Sequence, residues 1–203
     1  MKGDLGGSRI AFVVGCVILV LAIGTVGFSV TGDKMKMKAR KTNVAEKRAE
    51  NAGAEDMQTN PLRQGEAADF IRVVEEYYKK LKDKTDFVET YKDIQIYIKD
   101  GKYQDTYVAF VKYGMKIKDI YTEVPGLGTL YVTKDGTSGE YRIDTETLND
   151  EIQRYIETVA AHEDVQKLME TERLEYQRAV QSDALLQEAL EDLRKAYEDG
   201  TGN

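Results

Sequence analysis

The chain has 203 residues, which is room for one domain with accessory segments, and it holds thirteen tyrosines but no tryptophan. Residues 1–48 hold nine Lys/Arg and three Asp/Glu, which gives a charge of +6. Residues 49–203 hold 20 Lys/Arg and 33 Asp/Glu, which gives a charge of −13, and the sum is the net charge of −7. A body this acidic excludes nucleic-acid binding as its main role, because phosphate contacts need a basic surface.

An uncharged apolar stretch of 21 residues runs from Ile10 to Val30. As a helix rising about 1.5 Å per residue, it spans the roughly 30 Å hydrocarbon layer of a bilayer. A cleaved signal peptide is the alternative, but the apolar core of such a peptide is usually only about 7–15 residues long. We therefore predict a retained, lipid-embedded transmembrane helix at 10–30, preceded by a short flank at 1–9. The single cysteine, Cys16, lies within it, so no intramolecular disulfide can form.

A polar segment at 31–65 follows, basic at first, and we predict that it is a flexible linker. Five of the eight residues at 34–41 are Lys or Arg, whereas only Lys2 and Arg9 are basic before the apolar stretch. The positive-inside rule places such a flank, and the domain behind it, on the cytoplasmic side.

The first element of the domain is a helix predicted from Glu66 to Lys82. Apolar residues recur there at helical spacing and predict one buried face. Its members are Phe70, Val73, Val74, Tyr77 and Leu81.

An antiparallel meander follows, because the apolar period changes from 3.6 to 2. Ile94, Ile96 and Ile98 mark its first strand, and Asp100-Gly101 marks a turn. The next strand has an apolar face from Tyr107 to Ile117 and a wet face that carries lysines. A tight bend is predicted at 125–128, and two further strands are predicted at 129–133 and 140–143.

Three helices end the domain, which we place at 66–199. Thr147 with Asp150 fits a capping box for the first helix. The second is predicted at 163–181, and Ser182 or Asp183 would cap the third, which Gly200 ends. The last two helices are predicted to form an antiparallel hairpin. The fold class is therefore α+β behind a transmembrane helix.

Three stretches carry a family resemblance. They are Tyr91–Gly101 (YKDIQIYIKDG), Thr106–Tyr113 (TYVAFVKY), and Pro125–Leu127 followed by Leu130–Val132 (PGL and LYV). Together they resemble membrane-anchored NTF2-like (cystatin-like cone) domain proteins of Gram-positive, clostridia-type bacteria, over roughly residues 60–195.

The resemblance implies a curved antiparallel sheet that helices wrap into a cone with a hollow end. It also implies that the domain lies outside the cytoplasm, whereas the basic flank at 34–41 favours the cytoplasmic side. Residues 82–91 are too few for the extra helices usual in that cone, so a more open cone is expected. Four tyrosines are candidates to line a ligand pocket there, although core packing is the simpler interpretation of them. They are Tyr97, Tyr107, Tyr113 and Tyr131.

Residues for catalysis or metal binding are sparse. His162 is the sole histidine, it lies between two predicted helices, and the cysteine is in the apolar stretch. A hydrolytic triad and a His/Cys metal cluster are therefore not expected. No glycine-rich phosphate loop follows a strand, so we predict no cofactor and no metal.

The sequence favours a non-enzymatic, membrane-tethered binding or scaffolding module of the cell envelope. Its partner would be another protein, a second copy of the chain or a small apolar ligand. A cytoplasm-facing adaptor for protein partners is one alternative. A small-molecule enzyme of isomerase or dehydratase type is the other, since some relatives pair an Asp base with a Tyr donor. Asp93 and Asp105 lie at strand ends, where carboxylates usually face water.

Overall fold

The computed structural model describes residues 48–144 and 148–201 of the protein. The predicted transmembrane helix at 10–30 and Thr147 of the predicted capping box lie outside these residues. Among the helices that are described, none is both long and apolar enough to cross a membrane.

The fold is α+β, as predicted, with one five-stranded antiparallel sheet in the order β1-β2-β3-β4-β5. The strands are β1 Arg63–Gln64, β2 Val88–Asp100, β3 Thr106–Ile117, β4 Val124–Lys134 and β5 Tyr141–Ile143. The helices are α1 Ala68–Lys82, α2 Asp150–Ala160, α3 Glu163–Ser182 and α4 Ala184–Thr201.

One face of the sheet is rich in aromatic rings and packs against α1 and α4. Alternate residues of β3 from Ala109 to Ile117 are buried there, as the period of two predicted. The residues that α1 buries against them are Phe70, Val74, Tyr78 and Leu81. Tyr78 is thus the buried tyrosine of α1, whereas Tyr77, which the spacing placed in the core, is partly buried.

The opposite face of the sheet is covered over half its length. Val108 and Phe110 are fully buried there under Tyr155 and Val159 of α2 and Val165 of α3. The prediction of one wet face is therefore wrong for this half. The alternation along β3 is weak because the strand carries apolar residues on both faces, which is typical of a strand covered on both sides.

The predicted bend at 125–128 is instead part of β4, paired in register with residues 111–114 of β3. Gly126 and Gly128 do not turn the chain. A Cβ at Gly126 would collide with the Tyr113 ring, and one at Gly128 would collide with the Tyr78 hydroxyl. The two glycines therefore make room for tyrosine rings against the strand.

The helix ends follow capping chemistry with one change. Asn149 caps α2, where the sequence predicted a capping box with Thr147, since the Asn149 side chain accepts a hydrogen bond of 2.9 Å from the backbone N–H of Ile152. Asp183 caps α4 as predicted, by accepting from the N–H groups of Leu185 and Leu186. Helix α4 continues through Gly200 to Thr201.

Candidate functional site: the free edge of strand β2

The edge of β2 that faces away from β3 is covered along one half. Arg63 and Gln64 of β1 pair with Ile98 and Tyr97, and the N–H of Gly65 donates to the carbonyl of Ile96 over 2.8 Å. These residues belong to the segment predicted as a flexible linker. In the structure, residues 48–65 instead pack on the sheet.

A buried polar network holds this segment in place. Lys99 of β2 is fully buried, and its ammonium group donates to the carbonyl of Asn60 over 2.7 Å and to the carboxylate of Asp164 over 2.9 Å. The amide of Asn60 donates to the carbonyls of Ala54 and Asp100, and its oxygen accepts from the N–H of Asp100. Asn60 thereby supplies the hydrogen bonds that a neighbouring strand would give to the end of β2.

Tyr155 of α2 completes the network from the other side. Its hydroxyl donates to the carbonyl of Asp100 over 2.7 Å and also lies 3.0 Å from that of Ala54. Burial raises the pKa of this phenol well above its usual range, with the nearby Asp100 adding to the effect. The hydroxyl therefore stays neutral and acts as a structural donor.

The other half of the same edge has no strand beside it in the part of the chain that the structure describes. On this side β2 has only β1 as a neighbour within the described residues, and β1 ends before Gln95. A cleft of about 480 Å³ lies here between β2 and α1. Six consecutive residues, Glu89–Ile94, line it. Because successive side chains of a strand point to opposite faces, consecutive residues line one cleft only if it runs along the edge.

A β-bulge limits the regular part of this edge. The pairing of β2 with β3 shifts register twice, between Val88 and Thr90 and between Lys92 and Gln95, and Asp93 has a left-handed φ of 50°. Lys92 reaches across β3 to Glu123, with 2.8 Å between Nζ and Oε1, and this hydrogen bond raises the pKa of Lys92. Gly114 lies between the two, and a Cβ there would crowd the Glu123 carboxylate. Between the two shifts, the regularly paired part of β2 is Thr90–Lys92.

Aromatic rings form the floor of the cleft. Tyr78 of α1 and Tyr91 of β2 both line it, and their ring centroids are 5.1 Å apart. Tyr113 lies behind them, 5.1 Å from Tyr78 and 5.2 Å from Tyr91. Ring contacts of this kind hold the three side chains together, and Tyr91, which is partly exposed over the buried Tyr78, supplies the aromatic surface of the floor.

Charged side chains form the walls of the cleft. Helix α1 contributes Glu75, Lys79 and Lys82, and β2 contributes Glu89 and Asp93 beside Lys92. Within the described part of the chain, Glu75, Lys79 and Asp93 make no ion pair. An aromatic floor, charged walls and a free strand edge can together bind a peptide backbone, with charged side chains held at its sides.

The four tyrosines predicted to share one pocket lie on both faces of the sheet. Tyr107 and Tyr113 are on the aromatic face, where the Tyr107 ring contacts Phe70. Tyr97 and Tyr131 are on the opposite face, under α2 and α3. Strand parity explains this division, because Tyr97 pairs with Phe110 and Tyr131 with Val108, both even-numbered residues of β3. Only Tyr113 lies next to the edge cleft.

The other residues considered for chemistry have structural surroundings. His162 precedes α3, and its Nε2 lies 3.0 Å from the carbonyl of Glu55. No cluster of three or more His, Cys, Asp or Glu side chains that could hold a metal ion occurs within 48–144 and 148–201. Asp93 and Asp105 are both exposed, and each has a positive φ in a bulge or a turn.

The edge cleft was not predicted from the sequence. Glu89, Tyr91 and Lys92 have no distinctive spacing, and a free edge depends on where the neighbouring strand stops. Comparison of the chain with protein-family models, with curated proteins and with solved structures gives no match.

Proposed function

We propose that the protein is a membrane-tethered, non-enzymatic binding module, and that its edge cleft binds an extended peptide segment of a partner protein. The peptide would lie beside residues 88–92 and add a strand to the sheet. The observation that carries this proposal is the free half-edge of β2, which lies in a cleft with a tyrosine floor.

The dimensions support a short peptide. The three regularly paired residues at 90–92 extend about 10 Å, which is long enough for about two main-chain hydrogen bonds. Such bonds give affinity without regard to sequence, and side chains on alternate residues then select the partner. Because an unpaired edge is otherwise an aggregation hazard, the bulge at Asp93 would also stop pairing beyond these residues.

The membrane tether in this proposal rests on the apolar stretch at 10–30 and on the resemblance to anchored NTF2-like domains. The resemblance favours a domain outside the cytoplasm, whereas the basic flank at 34–41 favours the cytoplasmic side. We propose the outer side, with an envelope protein as the partner. Reporters fused to Asn203 test this directly, and activity of a cytoplasm-only reporter would make the protein an adaptor for soluble partners instead.

Peptide binding is tested with the full chain in a mild detergent. A library of acetylated, amidated hexapeptides is screened by fluorescence polarisation, and the tightest binder is then resynthesised with one N-methyl group at each position in turn. An added strand points every second N–H at β2, so we expect methylation to abolish binding at alternate residues and to leave it nearly unchanged between them.

The alternating pattern distinguishes strand addition from simple apolar capture. Equal loss at every position would mean that the peptide binds through its side chains or in another conformation. Failure of every library peptide to bind at millimolar concentration would refute the proposed function.

A further inference from the structure

The charges that line the edge cleft are ordered along its length. Helix α1 runs antiparallel to β2, since Phe70 contacts Tyr107 near one end and Tyr78 contacts Tyr91 further along. Lys79 and Lys82, from the last turn of α1, therefore lie at the Val88 end of the cleft. Glu75, one turn earlier, lies near Asp93 at the bulge end.

The bulge end of the cleft is mainly acidic. Glu75 and Asp93 make no ion pair among the described residues, and Lys92, the base nearby, pairs with Glu123 across β3 while the charge of Asp93 also acts on it. At the Val88 end, Lys79 makes no ion pair among the described residues, Lys82 pairs with Asp83 over 3.6 Å, and Glu89 is the carboxylate of the lining. Lysines in a last helical turn also complement the helix dipole, so the acidic pair is the more informative feature.

The existing neighbour of β2 indicates the direction of an added strand. Strand β1 runs antiparallel to β2 on this same edge and points from the Asp100 end towards the bulge. A peptide that continues this line runs from the bulge end to the Val88 end. Antiparallel pairing is also the commoner arrangement in sheets.

From these observations we infer that the peptide has a defined polarity: a basic residue near its N-terminus and an acidic residue near its C-terminus. The basic residue lies beside Glu75 and Asp93, and the acidic residue beside Lys79 and Lys82. Apolar residues between them face Tyr91, which covers the buried Tyr78. This inference rests on the proposed function, because it assigns the ligand class of the same cleft.

Two peptides of identical composition test the polarity. They are acetyl-Lys-Val-Thr-Val-Glu-amide and acetyl-Glu-Val-Thr-Val-Lys-amide, measured by titration calorimetry against the full chain in a mild detergent. We expect the Lys-first peptide to bind roughly five- to tenfold more tightly at low salt, since exposed ion pairs contribute modestly. The ratio of the two dissociation constants should approach one at about 1 M salt, where the screening length is about 3 Å.

A charge reversal in the cleft supplies the matched variant. Glu75→Lys should remove most of the preference for the Lys-first peptide. Glu76→Lys makes the same change in net charge one residue away, on a side chain that pairs with Arg72 and does not line the cleft. It should keep the preference.

The outcomes separate the two proposals. Equal binding of both peptides, or tighter binding of the Glu-first peptide, overturns the polarity, while the alternating N-methyl pattern still supports strand addition. Loss of preference in both charge variants would attribute it to net charge and overturn the inference. Absence of binding by these peptides and by the whole library overturns the proposed function as well.

Discussion

Two ion pairs connect helix α3 to the same face of the sheet. In one pair the lysine is the buried member, and in the other the carboxylate is. In the first, Lys99 of β2 is fully buried and Asp164 at the start of α3 reaches the surface, with 2.9 Å between the charged atoms. In the second, Glu172 in the middle of α3 is buried and Lys112 of β3 is partly exposed, with a separation of 2.5 Å.

The two carboxylates differ in their pKa because they differ in hydrogen-bond donors. Partial burial alone would raise the pKa of Asp164, but donation from Lys99 and from the N–H groups of Leu62 and Val165 lowers it below its ordinary value. Burial raises the pKa of Glu172, and its one cationic partner, Lys112, does not offset this. A single ion pair is thus a weaker support for a buried charge than a set of donors.

The difference shows which pair organises the fold. The Lys99–Asp164 pair also binds the carbonyl of Asn60 and the N–H of Leu62, so it joins α3, β2 and the segment at 48–65. The Lys112–Glu172 pair joins only a helix and a strand. Perturbing each pair should therefore have unequal consequences.

The largest effect is expected from breaking the first pair. Lys99→Met keeps most of the side-chain volume but leaves Asp164 and the Asn60 carbonyl without their cationic donor. We expect the free energy of unfolding to fall by about 3 kcal/mol, because removing one member of a buried pair leaves the other unpaired. Urea unfolding of the full chain in a mild detergent, followed by circular dichroism, measures it.

Lys80→Met is the matched control for this change. Lys80 is exposed on α1 and makes no ion pair within the described ranges. The urea midpoint of the Lys80→Met variant should therefore match that of the unmodified chain. If both variants had equal midpoints, the Lys99 pair would add nothing to stability.

A smaller effect is expected from releasing the segment at 48–65. Asn60→Ala removes three hydrogen bonds to the backbone of Ala54 and Asp100, and we expect the free energy of unfolding to fall by about 2 kcal/mol. Limited proteolysis should then cut the chain within 48–65 before any other described region. Gln58→Ala changes an exposed amide of the same segment and should leave the digestion rate unchanged. Equal cutting of both variants would show that Asn60 does not fix the segment.

The smallest effect is a difference in pH dependence. Asp164 has a lowered pKa, so its stabilisation is present above its ordinary value of 3.8 and is lost as the pH falls through the lowered pKa. Glu172 has a raised pKa, so its favourable contribution is present below its ordinary value of 4.5 and is lost as the pH rises through the raised pKa.

Urea midpoints measured between pH 3 and pH 8 separate the two contributions. Asp164→Asn should flatten the acid side of the profile, and Glu172→Gln should flatten the change above pH 4.5. Profiles that changed in the same direction in both variants would contradict the opposite pKa shifts.

Much of the secondary structure could be predicted from local sequence. The helical spacing of Phe70, Val74 and Leu81 predicted α1, and Asp100-Gly101 predicted the turn between β2 and β3. The cap of α4 was predicted as Ser182 or Asp183, and it is Asp183. In each case the signal lies within a few residues, because helices, turns and caps are made by neighbours in the chain.

The glycines of β4 show where local sequence misleads. Pro125 to Gly128 resembles a turn, since proline and glycine are the usual turn residues. Its glycines are extended because rings from α1 and β3 need the space above them. That requirement comes from residues some 13 to 50 positions away, so no local pattern reveals it.

The sequence by itself determined the α+β class, most helix and strand positions, and the contrast between a basic N-terminal part and an acidic body. Tertiary structure alone decided that residues 48–65 join the sheet, that Lys99 and Glu172 are buried, and that half of the β2 edge has no strand beside it among the described residues. The physical reason is distance along the chain. Periodicity relates residues two to four apart, whereas Lys99 and Asp164 are 65 residues apart and meet only when the sheet and α3 pack.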